Sequence, residues 1–469
     1  MARRSFPWIF VALALVAVGL FWRGRQLRAL RRATAPSLRP AKCPFPLPPD
    51  VDEGASALCF SLRLGPGLKV FGVVLEPQLE ATPVFLLAGS SEGPGEAFLP
   101  SLDASGRRTR FGARPVIYLE RRGIGASGSG FECTADPSPT ACLLALRGQD
   151  FDFEAFGTSA AAADIVRVAD GLAMERFLLA GAGDGSRLGL EVLRQVPHRI
   201  EGAFFESVVP PGGRGLEARV TAGDAALTEL MARCRVAPEC PPPVDLEAAV
   251  LALETPIVTR FGTVEGHELT ELLFRALEHA DLAGLVPAAL RAAAERRSEA
   301  IGRFAGAVRR RQRPGAPALN LFILCTEQAP RLELEALQRR ISALPPRLRP
   351  WLGRVATELM LCPELGFPRA TLEPPPHPSR AEVPVLILAP TLDITSTPEL
   401  AEAMAMEYAR STLIRLPGRT RSPALTLHSP RARVDVCAAG LLRRFLSAPQ
   451  DPVDTSCTRD RPPLRFFSD

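Results

Sequence analysis

The stretch Phe177-Leu178-Leu179-Ala180 is a short apolar run. Gly181, Gly183 and Gly185 follow within five residues, and residues 187–195 then read as a helix. A buried strand that turns through alternate glycines straight into a helix fits few architectures. Such a turn is too sharp for side chains at its flanks, and glycine meets that demand at no steric cost. Taken alone, the string also describes a phosphate loop or a plain strand-to-helix connection.

The rest of the chain narrows the choice. Strand-like runs occur at 69–75, 83–88, 115–119 and 203–205, with a helix at 160–172 whose apolar positions recur at helical spacing. Alternation resumes with strands at 385–388 and 412–416 and helices at 399–408 and 434–445. Strands alternating with helices predict an α/β fold with a doubly wound, mostly parallel sheet covered on both faces. With 469 residues, 46% of them hydrophobic, there is ample material for such a core.

Between 215 and 375 the alternation fades into Ala-, Leu-, Arg- and Glu-rich helical sequence, an inserted lid domain. It includes one strand-like run at 319–324 and a basic helix at 291–313. That helix reads as a solvated face, with contact to an acidic partner as the alternative. The expected organisation is an N-terminal anchor with a basic flank (1–32), a Pro-rich spacer (33–58), a first core segment (59–214), the lid (215–375), a second core segment (376–457) and a tail (458–469).

Basic residues exceed acidic ones by only 56 to 51, with no basic stripe, so a nucleic-acid partner is not expected. Residues 5–22 carry no charge and lie between Arg4 and Arg23. The 18-residue length is borderline between signal peptide and spanning helix. Bulky Leu20, Phe21 and Trp22 follow the one small-residue cleavage candidate, Ala17-Val18-Gly19, so we read an uncleaved anchor, with secretion after cleavage as the alternative. Arginines after the segment outnumber those before it, which by the positive-inside rule favours a cytoplasmic domain. The ten cysteines point the other way. An even number, spaced as sequence neighbours, fits local disulfides in an oxidising compartment, and we give them more weight. None is in CxxC spacing and no histidine cluster accompanies them, so neither a metal nor another cofactor is expected.

Several segments, in order, resemble the secreted tripeptidyl and prolyl aminopeptidase-type serine hydrolases of the α/β-hydrolase fold. Glu120-Arg121-Arg122-Gly123-Ile124-Gly125-Ala126-Ser127 is similar to their DxRGxGxS segment. Gly89, Gly93, Pro94 and Gly95 look like their oxyanion loop, here lengthened. Ser186-Arg187-Leu188 through Arg199 resembles the helix after their nucleophile elbow, and Leu392-Asp393 through Thr397-Pro398 their acid loop. Cys325-Thr326-Glu327 resembles a lid motif, and Asp454-Thr455-Ser456-Cys457 their C-terminal end.

The catalytic positions depart from that pattern. In Gly-x-Ser-x-Gly the flanking small residues match Gly181 and Gly185, which leaves Gly183 where the nucleophile belongs. A register shifted by one would offer Asp184 instead, as a carboxylate nucleophile. Asp393 keeps the acid position. Arg421, 28 residues later, occupies the histidine position and is expected to approach Asp393. Arginine stays protonated and is a poor general base. His428 is the alternative base if an enlarged loop returns it to the site.

The resemblance also implies substrate contacts by Gly89, Gly93, Gly95, the Asp184 amide and Glu327. With neighbouring spacing, it further implies the disulfides Cys43–Cys59, Cys133–Cys142, Cys234–Cys240, Cys325–Cys362 and Cys437–Cys457. The expected function is an exported, membrane-tethered relative of serine aminopeptidases, catalytically impaired, binding a peptide or small molecule beneath its lid. The alternative is an active peptidase or esterase using Asp184 or another nucleophile with His428 and Asp393.

Overall fold

The computed structural model describes residues 37–469 except 66, 91–92, 129–130, 132–137, 150, 211–213, 312–315, 368–381, 428–432, 460–461 and 468–469. Its strands are β1 (Ser37–Pro40), β2 (Ala57–Gly65), β3 (Leu68–Leu75), β4 (Val84–Leu87), β5 (Val116–Leu119), β6 (Phe177–Ala182), β7 (Ile200–Glu206), β8 (Ile257–Thr259), β9 (Gly262–Val264), β10 (Val385–Pro390) and β11 (Ser411–Leu416). Nine of them form one sheet in the order β1-β2-β3-β5-β4-β6-β7-β10-β11. From β5 to β11 every pairing is parallel; β1, β2 and β3 form an antiparallel extension. β8 and β9 are a separate hairpin in the lid.

The parallel strands are buried on both faces, which is why they read as unbroken apolar runs. Val84, Leu86, Leu178, Ala180 and Phe204 point to one face. There they pack with Phe111 of the helix Ala104–Phe111 and with Leu441, Leu442 and Phe445 of the helix Val436–Ser447. Phe85, Leu87, Leu179 and Phe205 point to the other, against Ile165 and Val168 of the helix Thr158–Gly171 and Val192 of the helix Asp184–Gln195. The side-chain period of two along each strand divides the core between the two helical layers.

The insertion after β7 is helical, as expected, with two buried apolar clusters, one shared with Ile124, Phe131 and Leu143 and the other with Leu392 and Ile394 of the core segments. Two details differ from the sequence reading. Residues expected as a strand at 319–324 belong to the helix Pro317–Ile323, which runs on into a π-helical turn, Leu324–Gln328. A short apolar run is ambiguous in sequence, and here Leu319 and Leu321 to Leu324 are buried in a cluster with other lid and core residues, while Asn320 is only half-buried. The basic helix at 291–313 is two helices, Val286–Ala294 and Ser298–Arg309, broken where Arg296 takes φ +53°. Its arginines pair locally, Arg291 with Glu295, Arg303 with Glu299 and Arg309 with Glu268.

The ends of the described chain are not loose. The Pro-rich spacer enters the sheet as β1, and the Cys43–Cys59 disulfide fastens it to β2. In the tail, Phe466 is buried in a lid cluster and the Phe467 amide donates to the Gly284 carbonyl at 3.3 Å. Cys234–Cys240, Cys325–Cys362 and Cys437–Cys457 are also bonded as expected, with Cα separations of 5.1–5.6 Å. Cys142 is disulfide-bonded, while Cys133 lies outside the described residues. No helix among the described residues is long and apolar enough to cross a membrane; the expected anchor at 5–22 lies outside them.

Candidate functional site

β6 ends at Ala182, and Gly183 turns the chain with φ +56° and ψ −126° into the helix Asp184–Gln195. The two flanking glycines are obligatory. A Cβ on Gly181 would lie 2.7 Å from the Gly185 carbonyl oxygen, and one on Gly185 would run into the carbonyl oxygen of Leu87 on β4. The positive φ falls on Gly183, and Asp184 is the first helical residue. The Asp184 carboxylate reaches along the helix to Arg187, with Oδ1 3.1 Å from Nη2. Ser186 is buried and engaged: its hydroxyl donates to the Gly183 carbonyl at 2.6 Å and accepts from the Val209 amide at 3.0 Å.

Asp393 follows β10 at the C-terminal edge of the sheet, where open α/β sheets gather their ligand-binding residues. It is buried, and Oδ1 accepts from the amide and hydroxyl of Thr395 and from the Ser396 amide, at 2.7–3.2 Å. Oδ2 has no hydrogen-bond partner among the described residues. Arg421, after β11, lines a cavity of about 170 Å³ together with Ser90, Asp184, Arg187, Arg219 and Thr395. Burial lowers the pKa of Arg219, opposed chiefly by the charge of Glu278. Burial raises that of Glu278, with Arg421 and Arg219 acting against it. His428 lies outside the described residues.

The motif after β5 supports the loop that resembles an oxyanion loop. Glu120 is buried and accepts from the Gly95 amide at 2.9 Å and the Ser127 amide at 3.0 Å. Burial raises its pKa against these backbone hydrogen bonds. Gly125 has φ +51°, and a Cβ there would lie 2.6 Å from Glu120 Oε1. Gly93 also has positive φ, and Ser90 beside Gly89 is buried with no partner for its hydroxyl among the described residues. Arg122 forms a buried ion pair with Asp164 of the helix Thr158–Gly171.

Glu327 is 3% exposed, and both its oxygens are taken: Oε1 by the Thr158 amide at 2.6 Å and Oε2 by the Thr158 hydroxyl at 2.7 Å. It caps the N-terminus of the helix Thr158–Gly171, where a carboxylate meets orphan amides and the positive end of the dipole. These two bonds leave each oxygen further acceptor capacity, so the expected substrate contact of Glu327 is limited by its burial rather than by these bonds.

Sequence reasoning missed Glu206 at the end of β7. It is fully buried and accepts from the Ser422 hydroxyl at 2.6 Å and from the amides of Ala424 and Leu425 at 2.9 and 2.8 Å. Burial pushes its pKa from 4.5 up to about 7, against these hydrogen bonds and the charge of Arg110. Arg110 in turn donates to the Ala424 carbonyl at 3.1 Å and the Thr426 hydroxyl at 3.0 Å, and burial lowers its pKa to about 10. The available signal was an acid closing the apolar run at 203–205. Nothing in the sequence marked Arg219 as facing the same cavity.

Together these features define the α/β-hydrolase fold: the parallel sheet in this order, the glycine elbow after β6, the acid after β10 and the lid after β7. The chain matches no protein-family model, and no curated protein matches it. Solved structures do align. A proline iminopeptidase-related protein from Thermus thermophilus is 18% identical with a TM-score of 0.36, over 82% of this chain and 96% of that one. Proline iminopeptidase from Mycobacterium smegmatis is 17% identical with a TM-score of 0.39, over 82% and 97%. An alpha/beta hydrolase fold protein from Chitinophaga pinensis is 11% identical with a TM-score of 0.37, over 85% and 100%.

Proposed function

We propose that the chain is an α/β-hydrolase-fold protein without serine catalysis, exported and membrane-tethered, that binds a peptide or small molecule beneath its lid. One observation carries this reading: the residue with elbow backbone angles is Gly183. A triad that loses its nucleophile loses on the order of 10⁶ in kcat. Arg421 at the histidine position adds to the deficit, since a guanidinium stays protonated. Asp184, the alternative nucleophile, is helical and paired with Arg187. The bonded cysteines support export, because such bonds persist in oxidising compartments.

The test is covalent labelling of the full chain with a fluorophosphonate, beside turnover of aminoacyl and ester reporter substrates. No label and no turnover are expected. Robust labelling mapped to a serine in the cavity would overturn the reading. Turnover abolished by Asp184→Asn, with folding intact, would favour the alternative in which Asp184 acts with His428 and Asp393.

A further inference from the structure

Three arginines, Arg187, Arg219 and Arg421, are among the residues that line the 170 Å³ cavity, and Asp184 is the one carboxylate-bearing residue among those described there. Arg187 is only 2% exposed. One of its nitrogens meets Asp184, while Nε and Nη1 have no hydrogen-bond partner among the described residues. The Ser90 hydroxyl is likewise buried without a partner among the described residues. An unpartnered buried donor costs about 1–3 kcal/mol, and more when charged. A fold that keeps several such donors around one cavity is short of acceptors there.

The nearby carboxylates do not make up the shortfall. Asp184 meets Arg187 through the one nitrogen already counted, Glu278 acts on Arg219 and Arg421 without lining the cavity, and Asp393, whose Oδ2 is buried and unpartnered among the described residues, does not line it either. The helix Asp184–Gln195 also begins at this cavity, and its N-terminal end favours negative charge.

We propose that the cavity binds the oxyanion group of a small ligand, a carboxylate or a phosphate, held by Arg187 and Arg219 with Ser90 as a third donor. Planar guanidiniums meet such groups through paired charge-assisted hydrogen bonds. The proposal rests on the binding-protein reading and gives it a ligand chemistry: the group entering the site is an anion rather than a peptide amine.

The full chain is titrated with N-acetyl-leucine, its neutral amide and phenyl phosphate, following thermal unfolding and binding heat. At least one of the two anions should raise Tm and bind, at least tenfold more tightly than the amide. The better of the two identifies the headgroup. Arg219→Gln, half-buried and the safer variant to fold, should weaken that anion at least tenfold and leave any amide binding unchanged. Arg187→Lys keeps the charge and should also weaken it. Equal binding of anion and amide, no binding of either anion, or full affinity in a folded Arg219→Gln variant would each overturn the proposal. Reporter turnover with anion binding retained would sink the non-catalytic reading alone; absent turnover with no anion binding would sink this one alone.

Discussion

The Gly183 amide donates to the Glu206 carbonyl at 3.2 Å, joining the tip of the elbow to the end of β7. The Glu206 side chain holds Ser422, Ala424 and Leu425, in the loop that also carries Arg421. Glu206 therefore connects the elbow residue Gly183 to the segment that carries Arg421. A change at either end will be felt at the other.

Gly183→Ser should fold with a modest loss of stability. A non-glycine residue at φ +56° costs about 1–3 kcal/mol, which a thermal melt will register. Alone it should regain little reporter hydrolysis, because Arg421 cannot accept the serine proton. Adding Arg421→His should recover more, with strong non-additivity between the two changes. Full activity of Gly183→Ser alone would show that another base, His428 first, already stands in the site.

Stability should fall as pH rises through the window from 4.5 to about 7. Glu206 has a raised folded-state pKa, so the folded chain binds its proton more tightly than the unfolded chain does. The contribution is complete below the window and lost above it, and amounts to at most about 3 kcal/mol. Urea unfolding at several pH values measures the slope. Glu206→Gln should flatten it; an unchanged slope in that variant would assign the pH dependence elsewhere.

The glycines beside the elbow should tolerate nothing larger. Gly181→Ala and Gly185→Ala each bring a methyl group against backbone oxygen, of Gly185 and Leu87 respectively, and backbone cannot rotate aside. Each should cost several kcal/mol or prevent folding, as overpacked sites do. Expression yield and circular dichroism read the result. A native-like melt for Gly185→Ala would mean that β4 and the elbow can separate at little cost.

Disulfide removal should follow loop length. Breaking Cys325–Cys362, separated by 37 residues, should cost about 4 kcal/mol, and breaking Cys234–Cys240, separated by 6, about 2 kcal/mol. Paired Cys→Ala variants compared by denaturant unfolding give both values. Equal costs would point to native-state packing rather than chain entropy as the source.

Short-range pattern was enough for most of the parallel strands and for the helical insertion; reading the turn at 181–185 as an elbow needed the family resemblance, and strands β1, β2, β8 and β9 were missed. Buried parallel strands must be continuously apolar, the turn at 181–185 requires glycine, and a long helical stretch between strands must leave the sheet. Four of the five disulfides expected from neighbouring spacing and the family resemblance are bonded in the structure. Pattern failed where burial overrides periodicity: the apolar run at 319–324 is helical, and the basic stretch at 291–313 is broken in two.

The chemistry of the cavity came only from the tertiary structure. Sequence named Gly183, Asp393 and Arg421 through their match to the family's motifs. It could not show that Glu327 caps a helix 169 residues away in sequence, or that Arg187 and Arg219 share one cavity. A charged side chain's role is set by what surrounds it, and those neighbours come from distant segments that meet only when the sheet and lid close on one another.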